Sequence, residues 1–264
     1  MERKLAWEDY SKEDMTKVYE FAEGYRKFIS ECKTERECVT EFVARAEKAG
    51  FLNLADAIKA GKALKAGDRV YVNNMGKWLA MFVVGNENLE NGMNILGAHI
   101  DSPRMDIKQN PLYEDTGLAM LDTHYYGGIK KYQWVTLPLA LHGVIAKKDG
   151  TTVKVSIGDK PEDPVFGVSD LLIHLSGEQM EKKGAKVIEG ENLDLLIGSI
   201  PLPSDDEKEQ AKDAVKANVL RILEETYGVC EEDFLSAEIE VVPAGAARDY
   251  GFDRSMIMGY GHDD

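Results

Sequence analysis

The chain has 264 residues, of which 44% are hydrophobic and 30% are charged. These proportions are ordinary for a globular protein, and the length allows one large core or one core with a smaller satellite. The formal net charge of -15 at pH 7 argues against a nucleic-acid partner, because binding to phosphates requires a basic surface.

The sequence shows no signal for a membrane or for secretion. No apolar stretch approaches the length of a membrane-spanning helix, and the first residues lack the apolar core of a secretory signal. Cys32, Cys38 and Cys230 are too few and too scattered for a disulfide framework. We therefore predict a cytoplasmic protein with reduced thiols and no membrane partner.

The first sixty residues predict two helices. Apolar residues recur at helical spacing between Met15 and Ile29. Thr34 and Glu37 have the spacing of a capping box, which opens a second helix that ends at Gly50. The apolar stripes of both helices predict core packing and imply no site.

A β-type pattern follows these helices. Residues 69–73 and 78–84 are rich in β-branched and aromatic side chains, and the Asn-Met-Gly turn between them predicts a hairpin. Residues 93–100 form a short apolar run, which is typical of a strand buried in an α/β sheet. Polar residues follow that run, at the position where open α/β sheets commonly bind ligands.

Residues 104–242 have a different pattern. Short strand-like stretches alternate with turns at residues 134–141, 143–146 and 152–157. One long helix is predicted over residues 205–227, and residues 237–242 alternate like a half-buried strand. We therefore predict an α/β frame that is interrupted by a separate β-rich region.

The strongest local signal for chemistry is the Ala-His-Ile-Asp-Ser-Pro motif that ends at Pro103. In an extended chain His99 and Asp101 point to the same face. The imidazole can then bind a metal ion while the carboxylate receives its other N–H. The motif has a second interpretation, a histidine that is hydrogen-bonded to a neighbouring carboxylate at the end of a strand, with no metal.

A second group of potential ligands, His262, Asp263 and Asp264, follows another apolar stretch. A carboxylate that bridges two cations is common in sites where paired metal ions activate one water. By itself, the group is also compatible with an irregular tail.

Four motifs together point to a known family. They are Ala-His-Ile-Asp-Ser-Pro-Arg-Met-Asp from Ala98, Tyr-Gly-Gly-Ile-Lys-Lys-Tyr-Gln-Trp from Tyr126, Leu-Ile-His-Leu-Ser from Leu172 and Gly-Tyr-Gly-His-Asp-Asp from Gly259. The chain resembles the N-terminal portion of M18 family metalloaminopeptidases, the family of aspartyl aminopeptidases and aminopeptidase I, and resembles its bacterial branch most. The resemblance covers essentially the whole chain.

The resemblance implies roles for four residues. His99 matches the first metal ligand of the family, and Asp263 matches the ligand that bridges two metal ions. Asp101 matches the carboxylate that supports the first ligand. His174 matches the histidine that reaches from the inserted domain into a partner subunit's active site and helps to bind the substrate carbonyl as it gains charge. A histidine with a structural role at the interface is the alternative for His174.

Other polar residues of the motifs match no catalytic position of the family. Asp264 matches a neighbour of the bridging ligand, and His262 lies outside the ligand positions. His124 and His142 match nothing catalytic, so we predict structural roles for them. The Gly127-Gly128 pair with Trp134 matches architecture of the inserted domain.

The resemblance also implies a fold and an assembly. A catalytic α/β zinc-peptidase domain comprises residues 1–103 and 243–264, and a β-rich dimerisation domain is inserted at residues 104–242. The implied homo-oligomer is a dodecamer built from dimers. The implied activity is removal of N-terminal acidic or neutral residues from peptides by a water that two metal ions activate. Two zinc ions per active site are implied, with cobalt or manganese as alternatives.

The sequence departs from the family in length. The glutamate pair that supplies the general base and one ligand, a further aspartate and a final histidine have no counterpart in the 264 residues. We therefore expect the isolated chain to be inactive and to be an incomplete form of the parent enzyme. The alternative is a non-catalytic assembly or binding subunit of the same family. A different two-metal hydrolase is disfavoured by the Tyr-Gly-Gly and Ile-His-Leu motifs.

Overall fold

The computed structural model describes residues 3–203 and 212–261 and shows a mixed α/β fold. The helices are α1 (Lys12–Glu31), α2 (Glu35–Lys48), α3 (Leu54–Lys59), α4 (Gly177–Met180) and α5 (Ala214–Tyr227). The strands are β1 (Leu52–Asn53), β2 (Arg69–Asn74), β3 (Trp78–Val83), β4 (Arg104–Asp115), β5 (Leu118–Tyr126), β6 (Leu139–Ala146), β7 (Thr152–Ile157), β8 (Leu195–Gly198), β9 (Ala237–Pro243), β10 (Arg248–Tyr250) and β11 (Met256–Met258). Short 3-10 turns lie between several of these elements.

Internal contacts divide the chain into two compact units. The first unit contains the described residues up to Asp101 and those from Ala246 onward, and the second unit is Ser102–Gly245. The predicted inserted region, residues 104–242, falls inside the second unit, which extends beyond it by two residues at the start and three at the end. The roles predicted for the two parts, catalysis and dimerisation, stay predictions.

The long helices of the first unit begin at capping boxes. The Thr34 hydroxyl accepts a hydrogen bond from the N–H of Glu37 at 3.3 Å, and the Glu37 carboxylate accepts one from the N–H of Thr34 at 3.2 Å. These bonds satisfy two N–H groups that a helix start leaves unpaired, and Ser11 caps α1 in the same way. The rings of Phe28 and Phe42 stack with centroids 5.3 Å apart. The predicted helix start at Thr34 is confirmed, and so is the packing of the α2 stripe, in which Cys38, Val39 and Ala46 are buried. The prediction of core packing is wrong for much of the α1 stripe, in which Ile29 is buried but Tyr19 and Tyr25 are exposed.

The predicted hairpin is also confirmed. β2 and β3 pair antiparallel, from Arg69 opposite Val83 to Asn74 opposite Trp78. β1 pairs parallel to β2, so the sheet has the order β1-β2-β3. α2 contacts both strands of the hairpin. In the described part of the chain β3 is therefore an edge strand.

The prediction of a buried strand over residues 93–100 is wrong for this structure. The segment has no strand assignment, and Met93, Ile95 and Leu96 are exposed. Extended backbone becomes a strand only when a neighbour supplies ladder hydrogen bonds, and within residues 3–203 and 212–261 no strand pairs with this segment. The segment is apolar in composition, as the pattern indicates, but it is not buried.

The second unit is built on a six-stranded antiparallel sheet with the order β7-β6-β9-β4-β5-β8. β4 is the first strand of this unit and β9 is its last, and they are neighbours. The chain therefore enters and leaves the unit on adjacent strands, as an inserted region does. α5 packs against β4, β5 and β8. The fully buried core side chains include Met105, Leu139, Leu193, Leu195, Val241 and Val242.

The predicted strands of this unit are recovered with one correction. The predicted strand at residues 152–157 is β7, the one at 143–146 is the end of β6, and the one at 237–242 is β9. The first half of the stretch at residues 134–141 is not a strand. Thr136 has a φ of +61°, and Pro138 has no N–H to donate to a ladder. These two residues delay β6 until Leu139.

The helix predicted over residues 205–227 is present as α5 from Ala214, and residues 204–211 lie outside the described part of the chain. α5 ends at Gly228, which has a φ of +64° and donates its N–H to the carbonyl of Glu224. This is the left-handed helix cap that glycine adopts without strain. None of the described helices combines the length and apolar composition that crossing a bilayer requires.

None of the three cysteines forms a disulfide. Cys32 and Cys38 are buried, whereas Cys230 is exposed. Burial, reinforced by the neighbouring Glu37, raises the pKa of Cys32 to about 12. A thiol in this environment reacts slowly, because the thiolate is the nucleophile.

We expect iodoacetamide at pH 8 to modify Cys230 in the folded protein and to leave Cys32 and Cys38 unmodified. Mass spectrometry of peptides after a short exposure measures this directly. The same reaction in guanidinium chloride is the control, and all three cysteines should react there. Modification of Cys32 as fast as Cys230 in the folded protein would contradict the burial described above.

Candidate active site

His99 and Asp101 lie together in the first unit. The Nδ1 atom of His99 is 2.9 Å from the backbone oxygen of Asp101 and 3.4 Å from its Oδ1 atom. About half of the His99 side chain is exposed, and about a third of the Asp101 side chain. The structure therefore brings this predicted pair into contact at an accessible position.

The contact fixes which nitrogen of His99 can bind a metal ion. A carbonyl oxygen only accepts hydrogen bonds, so Nδ1 carries the proton in this arrangement. The neutral ring then has its lone pair on Nε2, which is the nitrogen that can donate a lone pair to a metal ion. The backbone oxygen of Asp101 is closer to the ring than the carboxylate is, so the main chain shares the orienting role that the sequence assigns to the side chain alone.

The second predicted ligand, Asp263, lies outside the described residues, as do His262 and Asp264. Within residues 3–203 and 212–261 there is no group of three or more histidine, cysteine, aspartate or glutamate side chains that could hold a metal ion. The donor chemistry of His99 fits zinc, for which imidazole nitrogen is a common ligand. The described residues thus fit one position of a zinc site and do not form a complete one.

His174 lies in the second unit, in the 3-10 turn Ile173–Leu175. Ser176, which is buried, follows it and donates its hydroxyl to the carbonyl of Ile173 at 3.1 Å. On the preceding side the Asp170 carboxylate accepts hydrogen bonds from the N–H of Leu171 and the side chain of Gln179, both at 2.8 Å. Both ends of the turn are held, so His174 is presented on a fixed, exposed segment.

The side chains around His174 are apolar and exposed. Leu172, Ile173 and Leu175 each expose about 70% of their surface, and Leu171 exposes 55%. Four large apolar side chains on the surface of one short segment are typical of a protein–protein contact, because isolated exposed residues are common but contiguous patches are not. The environment of His174 therefore supports an interface position, whichever of its two roles applies.

The two remaining described histidines differ in burial. His124 is exposed on β5, opposite Asp106 of β4. His142 is 2% exposed on β6, and its Nε2 atom is 2.9 Å from Oδ2 of Asp159. The other carboxylate oxygen of Asp159 accepts the N–H of Gly245 at 2.8 Å. Asp159 therefore ties His142 to the last residue of the second unit, which is a structural role.

A buried ion pair lies directly after the His99 motif in sequence. The Arg104 Nε atom is 3.1 Å from Oε2 of Glu240 and 2.9 Å from Oδ1 of Asp106. The Arg104 guanidinium also stacks over the Tyr126 ring, 4.3 Å from its centroid. Arg104 and Glu240 are both almost fully buried. No role for either residue is predicted from the sequence. The one feature of the sequence that marks this position is that Arg104 directly follows Pro103.

Two of the recognised motifs meet in the second unit. Gly127 has a φ of +72°, and a side chain there would begin 3.4 Å from Pro103. The register of β4 and β5 places Arg104 opposite Tyr126, the residue before this glycine. The 3.4 Å distance is ordinary van der Waals contact, so it is the positive φ of the turn, which lies next to the proline that ends the His99 motif, that favours glycine here. This is the architectural role predicted for the Tyr-Gly-Gly motif.

Comparison with known proteins identifies the family. Residues 28–264 match the family described as aminopeptidase I zinc metalloprotease (M18). The chain is 62% identical over 263 residues to the probable M18 family aminopeptidase 1 of Clostridium acetobutylicum. It also matches the crystal structure of an M18 family aminopeptidase from Thermotoga maritima with 49% identity and a TM-score of 0.86, covering 97% of this chain and 54% of that one. The S. cerevisiae mApe1 dodecamer, at 19% identity and a TM-score of 0.62, shares the fold over 90% of this chain and 51% of its own.

These matches cover most or all of this chain but only part of each relative. The match to the Clostridium acetobutylicum relative covers 100% of this chain but only 56% of the relative. The chain thus spans about half the length of the curated relatives that it matches, and it corresponds to their N-terminal portion. On the family match and the shared fold, the chain belongs to the M18 family of aminopeptidase I zinc metalloproteases.

Proposed function

We propose that the protein of which this chain forms the N-terminal portion is a zinc-dependent aminopeptidase that removes N-terminal residues from peptides. The observation that carries the proposal is the His99 ring, held at Nδ1 by the backbone oxygen of Asp101 inside the segment that matches the family. A histidine in this tautomer has Nε2 ready to bind zinc without first losing a proton.

In the proposed site, three residues of this chain have distinct roles. His99 holds zinc through Nε2, Asp101 orients His99, and Asp263 is the proposed second ligand. When zinc is bound, it polarises the peptide carbonyl and lowers the pKa of a bound water. We assign the general base to the part of the relatives that lies beyond the match, because the relatives are longer by almost half of their own length.

The second unit is proposed to form a contact between subunits. The exposed apolar segment around His174 supports this, since it presents four large apolar side chains close together. The S. cerevisiae mApe1 structure is a dodecamer, and a homo-oligomer built from dimers, up to a dodecamer, is our proposal for this protein. In that assembly His174 would lie at the boundary with a partner subunit and donate a hydrogen bond to the substrate carbonyl.

We also propose a cellular compartment, the metal ions and a range of substrates for this protein. Three cysteines that form no disulfide support a reducing, cytoplasmic compartment. Zinc is the proposed ion, two per active site, and imidazole with carboxylate ligands also accepts cobalt or manganese. The substrates are peptides with acidic or neutral N-terminal residues.

The test uses a joined protein, in which the 264-residue chain is followed by the C-terminal portion of the Clostridium acetobutylicum relative. We expect this protein to hydrolyse the p-nitroanilides of leucine, aspartate or glutamate and to spare the N-acetylated forms. We expect EDTA to abolish the hydrolysis and added zinc to restore it. The isolated chain should show no such hydrolysis.

Two results would contradict the proposal. Hydrolysis that persists after complete removal of metal ions would exclude zinc chemistry. A folded joined protein that binds zinc but hydrolyses none of the free-amine substrates would favour the alternative, a non-catalytic assembly or binding subunit of the family.

His174 can be tested separately in the joined protein. We expect His174→Ala to reduce kcat by about a hundredfold or more, as loss of an oxyanion donor does, while the zinc content and the mass of the oligomer stay unchanged. His124→Ala is the matched control, because His124 is an exposed histidine of the same unit. A loss of the oligomer with unchanged kcat per folded subunit would assign His174 the structural role instead.

A further inference from the structure

The second unit contains a buried ion pair that the proposed function does not use. The side chains of Arg104 and Glu240 are 7% and 3% exposed, and the Arg104 Nε atom is 3.1 Å from Oε2 of Glu240. Moving two charges out of water costs free energy, and apolar side chains of similar volume often stabilise a core as well or better. The stability of the fold therefore does not by itself account for this pair.

The surroundings of Arg104 hold its guanidinium in one orientation. Asp106, two residues further along β4, accepts a hydrogen bond from Nε at 2.9 Å. The Tyr126 ring of β5 stacks on the guanidinium at 4.3 Å from its centroid, and the register of the two strands places these residues opposite each other. A planar guanidinium with partners at its edge and a ring on its face has little freedom to rotate. Its other N–H groups therefore point in fixed directions.

One of these N–H groups faces the carbonyl group that follows the His99–Asp101 segment. The Arg104 Nη1 atom donates a long hydrogen bond to the backbone oxygen of Ser102 at 3.4 Å. Ser102 is 5% exposed, and the following Pro103 restricts its backbone to extended conformations. The backbone of Ser102 is therefore held by burial, by the proline and by Arg104.

The backbone of Ser102 determines where the Asp101 carbonyl group points. That carbonyl belongs to the planar peptide bond that joins Asp101 to Ser102, so it turns when the backbone of Ser102 turns. The Asp101 oxygen is 2.9 Å from Nδ1 of His99 and sets the tautomer that has its lone pair on Nε2. We propose that Arg104 is a positioning residue for His99, an inference that rests on the proposed function. In this role Arg104 acts through the backbone of Ser102 and Asp101 and is not a metal ligand itself.

The test compares two ways of replacing Arg104 in the joined protein. Arg104→Lys keeps the positive charge for Glu240 but has no planar fork with which to reach the Ser102 carbonyl as well. Arg104→Met combined with Glu240→Met replaces the pair by apolar side chains, so the fold and the Tm should be retained. We expect both variants to weaken zinc binding by about 10–100-fold, the loss typical of residues that orient a ligand.

Zinc affinity is measured by competition with a chromogenic chelator, a readout that does not depend on catalysis. The matched control is Lys108→Met combined with Asp122→Met. This pair also joins β4 to its neighbour, with a distance of 2.8 Å between Lys108 Nζ and Asp122 Oδ1, and it lies four residues further along β4 than Arg104. The control should leave zinc affinity unchanged.

The His99→Ala background distinguishes a positioning role from a structural one. A residue that acts through another has no separate effect once that other residue is absent, so adding Arg104→Lys to His99→Ala should change zinc affinity by less than about twofold. A structural role would instead lower both the zinc affinity and the Tm in either background, which would overturn the inference.

The outcomes also separate this inference from the proposed function. Unchanged zinc affinity and kcat in both Arg104 variants of an active, zinc-dependent joined protein would support the function and overturn the inference. Weaker zinc binding in both variants, only where His99 is present, in a joined protein that hydrolyses no free-amine substrate would support the positioning role and contradict the function. Weaker zinc binding in Arg104→Lys that the two methionines restore would show that the ion pair serves the fold alone, and would overturn the inference.

Discussion

Replacing His99 with alanine in the joined protein is expected to remove nearly all aminopeptidase activity and to lower the zinc content. The imidazole Nε2 atom is the only donor that we assign to zinc among the described residues, and its tautomer is set by the contact of Nδ1 with Asp101 at 2.9 Å. Loss of a residue that merely orients a ligand costs about 10–100-fold in affinity or activity. Loss of the ligand itself should exceed that range.

Asp101→Ala is the variant with which the loss of activity and zinc in His99→Ala is compared. The backbone oxygen that holds Nδ1 stays in place in this variant, and only the carboxylate at 3.4 Å is lost. We therefore expect a smaller loss than for His99→Ala, within about 10–100-fold. Steady-state kinetics and zinc analysis by mass spectrometry measure both variants, with His124→Ala as the control. Full zinc content in the His99→Ala protein would show that His99 is not a ligand.

Gly143→Ala is expected to be the most destabilising single substitution in the second unit. Gly143 lies within β6 and has a φ of +151°. A Cβ atom there would stand 1.9 Å from the carbonyl oxygen of Glu238 on β9, which is backbone and cannot rotate away. The substitution should separate β6 from β9 and lower the free energy of unfolding by about 3 kcal/mol or more.

Gly150→Ala separates the two causes of the expected destabilisation, which are backbone strain at a positive φ and the steric clash of the added Cβ atom. Gly150 has a φ of +84°, but a Cβ atom added there would meet no atom within 4 Å, so it carries the backbone strain without the clash. We expect it to lower the free energy of unfolding by only about 1–2 kcal/mol. Denaturant unfolding followed by circular dichroism measures both. Equal losses at the two glycines would mean that the close approach to Glu238 does not constrain β6.

The elements that the sequence predicts best are those whose signal is local. The capping box at Thr34, the tight turn between β2 and β3 and the glycine that ends α5 each depend on residues a few positions apart. The alternating pattern of residues 237–242 also predicts the strand β9 locally, but the strand is not half-buried, because four consecutive residues from Ile239 to Val242 are buried. These features therefore follow from composition and spacing without knowledge of the rest of the chain.

The prediction for residues 93–100 failed because burial depends on distant partners. An apolar run of that length is typical of a central strand, yet the residue pattern carries no information about which strand pairs with it. Among the strands that the structure describes, none does. The missed start of β6 has a different, local cause, because the apolar pattern shows neither the positive φ of Thr136 nor the N–H that Pro138 lacks.

The candidate site was predictable in part. The contact between His99 and Asp101 follows from their spacing, but the backbone oxygen as the nearer partner does not, because it depends on the local turn of the main chain. The pair of Arg104 and Glu240 joins positions far apart in sequence, through the register of β4 and β9. No spacing rule reaches that far, so only the structure reveals it.

The central claim is that His99 binds zinc through Nε2 in an M18 active site. A crystal of the joined protein, measured on both sides of the zinc absorption edge, tests it most directly. We expect an anomalous peak at about 2.0–2.1 Å from Nε2 of His99, with Nδ1 still in contact with the backbone oxygen of Asp101. A zinc peak at Nδ1, or a zinc-loaded active protein whose peaks all lie away from His99, would contradict the claim.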